Sequence, residues 1–325
     1  MITIYFNMEE VSMFIPYTNE NFVFTGIWQE NGKEEIVNYK TAAFFEIGFT
    51  GETVSLVSNR DNVIEAYIDG KLVNPVPCGS RYTFKVPRGA HLLKVAIRIE
   101  NHLKLKGIDI PEDERVFAPP KRPYLHIIGD SITQAFPGYS TALGENWGGD
   151  YSIVAQGGMA VCDGFGWYAI PEGMDARVGM ETNYFQLEYP FENIHPEDYK
   201  FEYCRQPEAI TVYLGTNDFL DNQTHWDNGH LDIFYPKYAA FLQKIRAHYP
   251  KARIYVLNAL SDKMFRRMGI EKAYEHVCKT VDNIYLLNIQ DWDIEVSDDG
   301  THPTLVGYND MGIKLAKYIR NDLGM

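Results

Sequence analysis

Apolar positions in the first 115 residues recur mostly at every second place. Residues 93–100 (Leu-Lys-Val-Ala-Ile-Arg-Ile-Glu) have one apolar and one mostly polar face, and residues 53–58 alternate for part of their length. That period predicts strands half-buried on one side. Residues 63–68 and 71–73 flank Asp69-Gly70, a pair that tolerates the positive φ of a tight hairpin turn. Gly51, Gly79 and Gly89 punctuate further short strands. Many short strands with turns between them predict a β-sandwich of jelly-roll type, and no stretch here has a helical period of convincing length.

The pattern changes after residues 110–123, where Pro111, Pro119, Pro120 and Pro123 combine with Glu112, Asp113 and Glu114 in a stiff, solvated joint. This divides the chain into a β-sandwich domain, 1–115, and a second domain, 116–325. Apolar runs at 124–128, 151–155, 209–214, 253–258 and 284–289 read as buried strands. Helical patterns cover 235–248 and 266–280, and Leu305, Tyr308, Met311, Leu315 and Ile319 recur at helical spacing near the end. Strands alternating with helices predict a parallel sheet covered on both faces, a three-layer α/β/α domain.

Composition narrows the classes. At 325 residues the chain suits two domains, and 45% hydrophobic residues supply packed cores. A net charge of −14 argues against nucleic acid or an anionic membrane as partner, and leaves neutral substrates open. Cys78, Cys162, Cys204 and Cys278 form no C-x-x-C pair, so they read as buried thiols, with a Cys162–Cys204 bridge left open. No apolar run reaches the ~18 residues of a membrane-spanning helix. The first ten residues lack the basic start and apolar core of a signal peptide, which predicts a cytoplasmic protein, or a secreted one if a leader precedes this sequence.

Candidate chemistry collects just after the strands. Asp130-Ser131 follows the first, Gln156-Gly157-Gly158 the second, and Gly215-Thr216-Asn217-Asp218 the third. Asp299-Gly300-Thr301-His302-Pro303 precedes the last helix. In a parallel sheet the carboxyl ends share one edge, so these residues can converge. A hydroxyl, glycine amides, a side-chain amide and an Asp/His pair are the parts needed for acyl transfer. On local grounds alone, Asp130 or Ser131 could equally cap a helix.

Four blocks in this order, Gly129-Asp130-Ser131-Ile132, Gly157-Gly158, Gly215-Thr216-Asn217-Asp218 and Asp299-Gly300-Thr301-His302, resemble the SGNH hydrolases, the GDSL esterase/lipase superfamily. The preceding sandwich makes the whole look like carbohydrate esterase family 2, whose members are acetyl esterases acting on plant polysaccharides. The resemblance implies an SGNH-type domain with Ser131 as nucleophile, His302 as base and Asp299 as its orienter. It implies an oxyanion hole formed by the Ser131 N–H, a glycine N–H and the Asn217 amide. A small residue before that glycine favours Gly158, with Gly157 as the alternative. Asp130 and Asp218 are expected to bond loop backbone and hold the Ser131 and Asn217 turns. The implied reaction removes small acyl groups, with acetyl expected, from carbohydrate or other small esters, and needs neither cofactor nor metal.

The long connection 159–207 is rich in aromatic residues, and Trp167 is its first candidate for walling the substrate pocket. The competing expectation is that these aromatics pack in the core, as is expected for Phe22, Phe24 and Trp28 in the sandwich. His225, Asp227 and His230 have no third block at zinc-like spacing and read as a solvated loop. His126, inside a strand, reads as a packed histidine. Two other functions compete. One is a lipase, lysophospholipase or thioesterase on the same domain, which the absence of an amphipathic membrane helix disfavours. The other is a carbohydrate-binding protein with an inactive hydrolase domain.

Overall fold

A computed structural model describes residues 12–39, 42–59, 64–76, 79–97, 102–170, 172–190, 197–203, 205–220, 228–258, 260 and 264–325. The signal-peptide reading of residues 1–10, Val63, Cys78, residues 98–100, Phe191, His195, Cys204, His225 and Asp227 lie outside these. The chain divides into two compact units. One takes the residues up to Phe24, with Trp28–Asn38 and Ala43–Lys121. The other takes Thr25–Ile27, Tyr39–Ala42 and Arg122–Met325.

The first unit is an antiparallel β-structure. Its strands are β1 (Ser12–Pro16), β2 (Val23–Thr25), β3 (Trp28–Glu30), β4 (Ile36–Asn38), β5 (Ala43–Asn59), β6 (Ile64–Ile68), β7 (Lys71–Val76), β8 (Arg81–Ile97), β9 (Lys104–Pro111) and β10 (Val116–Phe117). Alternation along β8 works as expected: Leu93, Val95 and Ile97 are buried, while Leu92, Lys94 and Ala96 are only partly so. Asp69 and Gly70 both have positive φ, 52° and 76°, as a type I′ hairpin between β6 and β7 requires. Trp28 is fully buried, 5.1 Å from the Phe24 ring and 6.3 Å from Phe45, and Phe22 stacks on Phe24. These aromatics are core and offer no sugar platform. The proline-rich stretch is not all linker, since Val116 and Phe117 pair with Phe49 and Gly48 of β5.

The second unit is the parallel sheet. Its elements run β11 (Tyr124–Gly129), α1 (Ser131–Gln134), α2 (Tyr139–Asn146), β12 (Asp150–Ala155), α3 (Met180–Asn183), β13 (Ala209–Tyr213), α4 (Thr216–Leu220), α5 (Asn228–His248), β14 (Arg253–Leu257), α6 (Met264–Val277), β15 (Ile284–Leu287) and α7 (Leu305–Leu323). The strand order is β12-β11-β13-β14-β15, all parallel. Successive strand residues alternate between two cores. Ile128, Val154, Val212 and Val256 face α5 and α6 through Phe234, Leu242 and Ile270. Ile127, Ile153, Tyr213 and Leu257 face α2 and α7 through Leu143, Met311 and Leu315. That gives the three layers.

Several element boundaries differ from the sequence reading, most by one to three residues. Helix α5 begins at Asn228, not 235, and carries Pro236 inside it. Leu231 and Phe234 are buried in the same core as Leu242, so packing outweighs the missing proline N–H. Strand β15 stops at Leu287, and Ile289–Trp292 forms a 3₁₀ turn. His126 is a packed histidine: burial pushes its pKa down to about 3, and its ring nitrogens meet Ser152 Oγ at 2.7 Å and Tyr184 OH at 2.8 Å. Cys162 is a buried free thiol and makes no bridge, whereas Cys278 is free but exposed, against the expectation of burial. Among the described residues, no helix is long and apolar enough to cross a membrane.

Candidate active site

The site begins where the strand order reverses direction, at the carboxyl ends of β11 and its two neighbours. Gly129 pairs with Ala155 of β12 and Tyr213 of β13, so the segments that follow start level with one another. A Cβ on Gly129 would lie 1.8 Å from Thr133 Oγ1 and 2.9 Å from the Tyr213 carbonyl oxygen, so only glycine fits. Asp130 caps α1, accepting the Ile132 N–H at 3.1 Å as expected for it. Ser131 is the first residue of that helix.

His302 arrives from the other end of the chain. Ser131 Oγ and His302 Nε2 are 2.9 Å apart, and His302 Nδ1 lies 2.6 Å from Asp299 Oδ2. A closed turn holds the pair: the Ser297 N–H donates to the His302 carbonyl at 2.8 Å, and the Thr304 N–H to Glu295 at 3.0 Å. The Thr304 hydroxyl then caps α7 by accepting the Gly307 N–H. Burial alone would raise the Asp299 pKa. The N–H groups of His302 and Thr301, the His302 ring and the Ser297 hydroxyl outweigh it and hold the carboxyl well below the usual carboxylate range. This is a hydroxyl, an imidazole and an ionised carboxylate in line, able to move a proton from Oγ to Nε2.

Amide donors gather at the ends of the next two strands. Asn217 is buried at the start of α4, with one Nδ2 hydrogen on the Met159 carbonyl at 3.0 Å and the other uncommitted. A Cβ on Gly157 would stand 3.7 Å from Ser131 Cβ, which places the Gly157-Gly158 turn beside the hydroxyl. The Gly157 N–H is already engaged, donating to Gln134 Oε1 at 2.6 Å. No described residue accepts from the backbone N–H of Ser131 or Gly158. Gly158 has φ of +75°, and its missing Cβ would meet the Tyr168 nitrogen at 2.9 Å.

Asp218 does something other than brace its own turn. Its carboxylate reaches across to accept the N–H groups of Val161 at 2.8 Å and Cys162 at 3.0 Å. Together with Asn217, it ties the turn after β13 to the loop after β12. Burial pushes the Asp218 pKa up to about 6; the two N–H groups and the Cys162 thiol oppose this, and the Asp130 charge adds to it.

The long connection 159–207 is mostly core. Tyr184, Tyr189 and Tyr199 are buried, and Phe165, Tyr168, Phe185 and Phe201 pack against the same cluster. Trp167 is the exception, 43% exposed, with its backbone N–H donating to the Gly158 carbonyl at 2.7 Å. His230, read as part of a solvated loop, lies instead in the first turn of α5, buried against the Phe165 and Phe219 rings. Among the described residues, no three His, Cys, Asp or Glu side chains gather as a metal site. The sequence reading missed the side chains of Gln134 and Gln156 at the glycine turn.

Residues 127–309, which run from the end of β11 into α7, match the sequence profile of the GDSL-like Lipase/Acylhydrolase family. The chain belongs to the GDSL-like lipase/acylhydrolase family. The match takes in Ser131, Gly158, Asn217, Asp299 and His302, and the family supports a carboxylic ester hydrolase. Among curated proteins, none is similar enough to match. Solved structures share the fold of this family member at low identity. One is a family 2 carbohydrate esterase plus carbohydrate binding domain of Corynascus thermopiles (Myceliophthora fergusii), 21% identical, covering 94% of this chain and 100% of that one, with a TM-score of 0.69. Another is an acetyl xylan esterase of Butyrivibrio proteoclasticus, 19% identical, covering 97% and 99%, also with a TM-score of 0.69. A third is a family two carbohydrate esterase of Clostridium thermocellum in complex with cellohexaose, 20% identical, covering 93% and 99%, with a TM-score of 0.67.

Proposed function

We propose that this GDSL-family chain is a serine esterase that removes small acyl groups, acetyl foremost, from carbohydrate esters. The observation that carries the reading is the 2.9 Å approach of Ser131 Oγ to His302 Nε2, with Asp299 on the other ring nitrogen. In the proposed cycle His302 takes the Ser131 proton as Oγ attacks the ester carbonyl carbon. The resulting oxyanion accepts from the Ser131 N–H, the Gly158 N–H and the second hydrogen on Asn217 Nδ2. The imidazolium returns its proton to the departing sugar oxygen, leaving an acyl-serine. Water then enters by the same route and releases the carboxylate. Gly158 is preferred to Gly157 because the Gly157 N–H is already taken by Gln134.

Support for a carbohydrate ester comes from relatives that share the fold. The Clostridium thermocellum esterase binds cellohexaose, and the Butyrivibrio proteoclasticus enzyme is an acetyl xylan esterase. Trp167 stands beside Gly158 and offers an exposed indole on which a sugar ring can stack.

Two experiments bear on this reading. Acetylated xylo- and cello-oligosaccharides should lose acetate under mass spectrometry, and kcat/KM for p-nitrophenyl acetate should exceed that for the octanoate by about tenfold or more. A preference for octanoate would move the reading to a lipase. For the oxyanion hole, Asn217→Ala is expected to lower kcat by about 10²–10³-fold with KM changed little, measured on the same acetate ester. An unchanged kcat would remove Asn217 from the mechanism.

A further inference from the structure

The glycine turn carries two side-chain hydrogen bonds that the chemistry above does not use. Gln134 Oε1 accepts the Gly157 N–H at 2.6 Å, and Gln156 Nε2 donates to the Gly157 carbonyl at 3.2 Å. Gln134 lies three residues beyond Ser131 on α1, so the two side chains share a face. A Cβ on Gly157 would stand 2.9 Å from Gln134 Oε1 and 3.7 Å from Ser131 Cβ. Gln156 is itself tied to the end of β11, its N–H donating to the Gly129 carbonyl at 3.3 Å.

These bonds act on successive peptide planes. A trans peptide is planar, with its C=O and N–H directed oppositely. The Gly157 carbonyl and the Gly158 N–H belong to one such plane, so holding the carbonyl sets the direction of the N–H. The preceding plane, which carries the Gly157 N–H, is held by Gln134. Two glycines in a row have no Cβ to restrict their planes, so an N–H that must meet a developing charge needs outside support here.

We infer that Gln134 and Gln156 are positioning residues, which clamp the two peptide planes at Gly157 and so aim the Gly158 N–H at the oxyanion. The inference rests on the proposed role of Gly158. The clamp has polarity: position 134 must accept and position 156 must donate.

A matched pair of substitutions reads that polarity. Gln134→Glu and Gln156→Glu add the same charge next to the same turn. A carboxylate at 134 still accepts the Gly157 N–H, whereas one at 156 cannot donate to the Gly157 carbonyl and repels it. Kinetics on p-nitrophenyl acetate, expressed per Ser131 titrated by a fluorophosphonate, remove any effect of inactive protein. The expected result is a kcat about tenfold lower for Gln156→Glu than for Gln134→Glu, with both KM values within about twofold of the parent. Gln134→Met and Gln156→Met, which lose both functions, should each lower kcat about tenfold with KM held. Equal losses in the two Glu variants, or Met variants as fast as the parent, would overturn the clamp. Ser131→Ala separates the two ideas. If that variant keeps full activity, the reading of the site fails; if it is inactive while the Glu variants fall equally, only the clamp fails.

Discussion

Exchanging Ser131 for Ala is expected to lower kcat toward a small ester by roughly 10⁶-fold, with substrate affinity nearly unchanged. The proposed oxyanion donors outlive the change. The Asn217 amide and the backbone N–H groups at 131 and 158 do not depend on the hydroxyl, so some rate above that of water remains. What goes is the covalent route, because His302 Nε2 would face a methyl group in place of the oxygen now 2.9 Å away. The loss should appear in steady-state hydrolysis of p-nitrophenyl acetate, while the thermal melt stays put. A variant that keeps the parent rate would remove Ser131 as nucleophile.

The second large effect is at Asp299, whose replacement by Asn is expected to lower kcat by about 10⁴-fold. The substitution is isosteric, so the reason is the proton and not the shape. Asp299 Oδ2 accepts from His302 Nδ1 at 2.6 Å, which leaves Nε2 as the base that faces Ser131. Asp299 Oδ1 meanwhile accepts the backbone N–H groups of Thr301 at 2.7 Å and His302 at 2.8 Å. In the Asp299→Asn variant the amide oxygen would stay with those two backbone donors, so the NH₂ group would turn toward the ring. Nδ1 would then become the acceptor and Nε2 would carry the hydrogen, so the imidazole could no longer take the Ser131 proton. Kinetics on the acetate ester check this, and an amide proton spectrum of the variant tests whether the fold survives. A loss below tenfold would show that Asp299 has little part in catalysis.

Much of this was legible in the chain because it depends on local pattern. The run at 124–128 is apolar on both faces, and in the sheet Ile127 and Ile128 are buried in opposite cores. Ser131, Asn217, Asp299 and His302 stand out because each directly follows a strand or precedes a helix, where a parallel sheet gathers its functional residues. Helix α2 did not stand out. It spans two turns and buries Tyr139 and Leu143, but Gly144 lies inside it against the Tyr151 ring, so its apolar period is short and broken by a poor helix former. The start of α5 was hidden by Pro236, a residue that reads as a helix start until Leu231 and Phe234 are seen packed before it.

The missed parts of the site share one cause. Gln134 acts on the Gly157 N–H, 23 residues away, and Asp218, expected to bond backbone within its own turn, accepts the Val161 N–H 57 residues away. A backbone donor leaves no mark in a sequence, so a side chain that serves one cannot be told from a solvated one. Trp167 could be named as an aromatic in a long connection, but its neighbours there could not be sorted. Tyr184 and Tyr199 look the same in sequence, and both are core.

Covalent labelling tests Ser131 as the nucleophile most sharply. The protein is treated with a fluorophosphonate, which loses fluoride as a serine oxygen bonds to phosphorus, and the product is mapped by peptide mass spectrometry while esterase activity is followed. A single phosphonyl group on Ser131 is expected, with activity lost in step with its incorporation. Activity lost with the label on another residue, or full labelling of Ser131 with esterase activity intact, would contradict it.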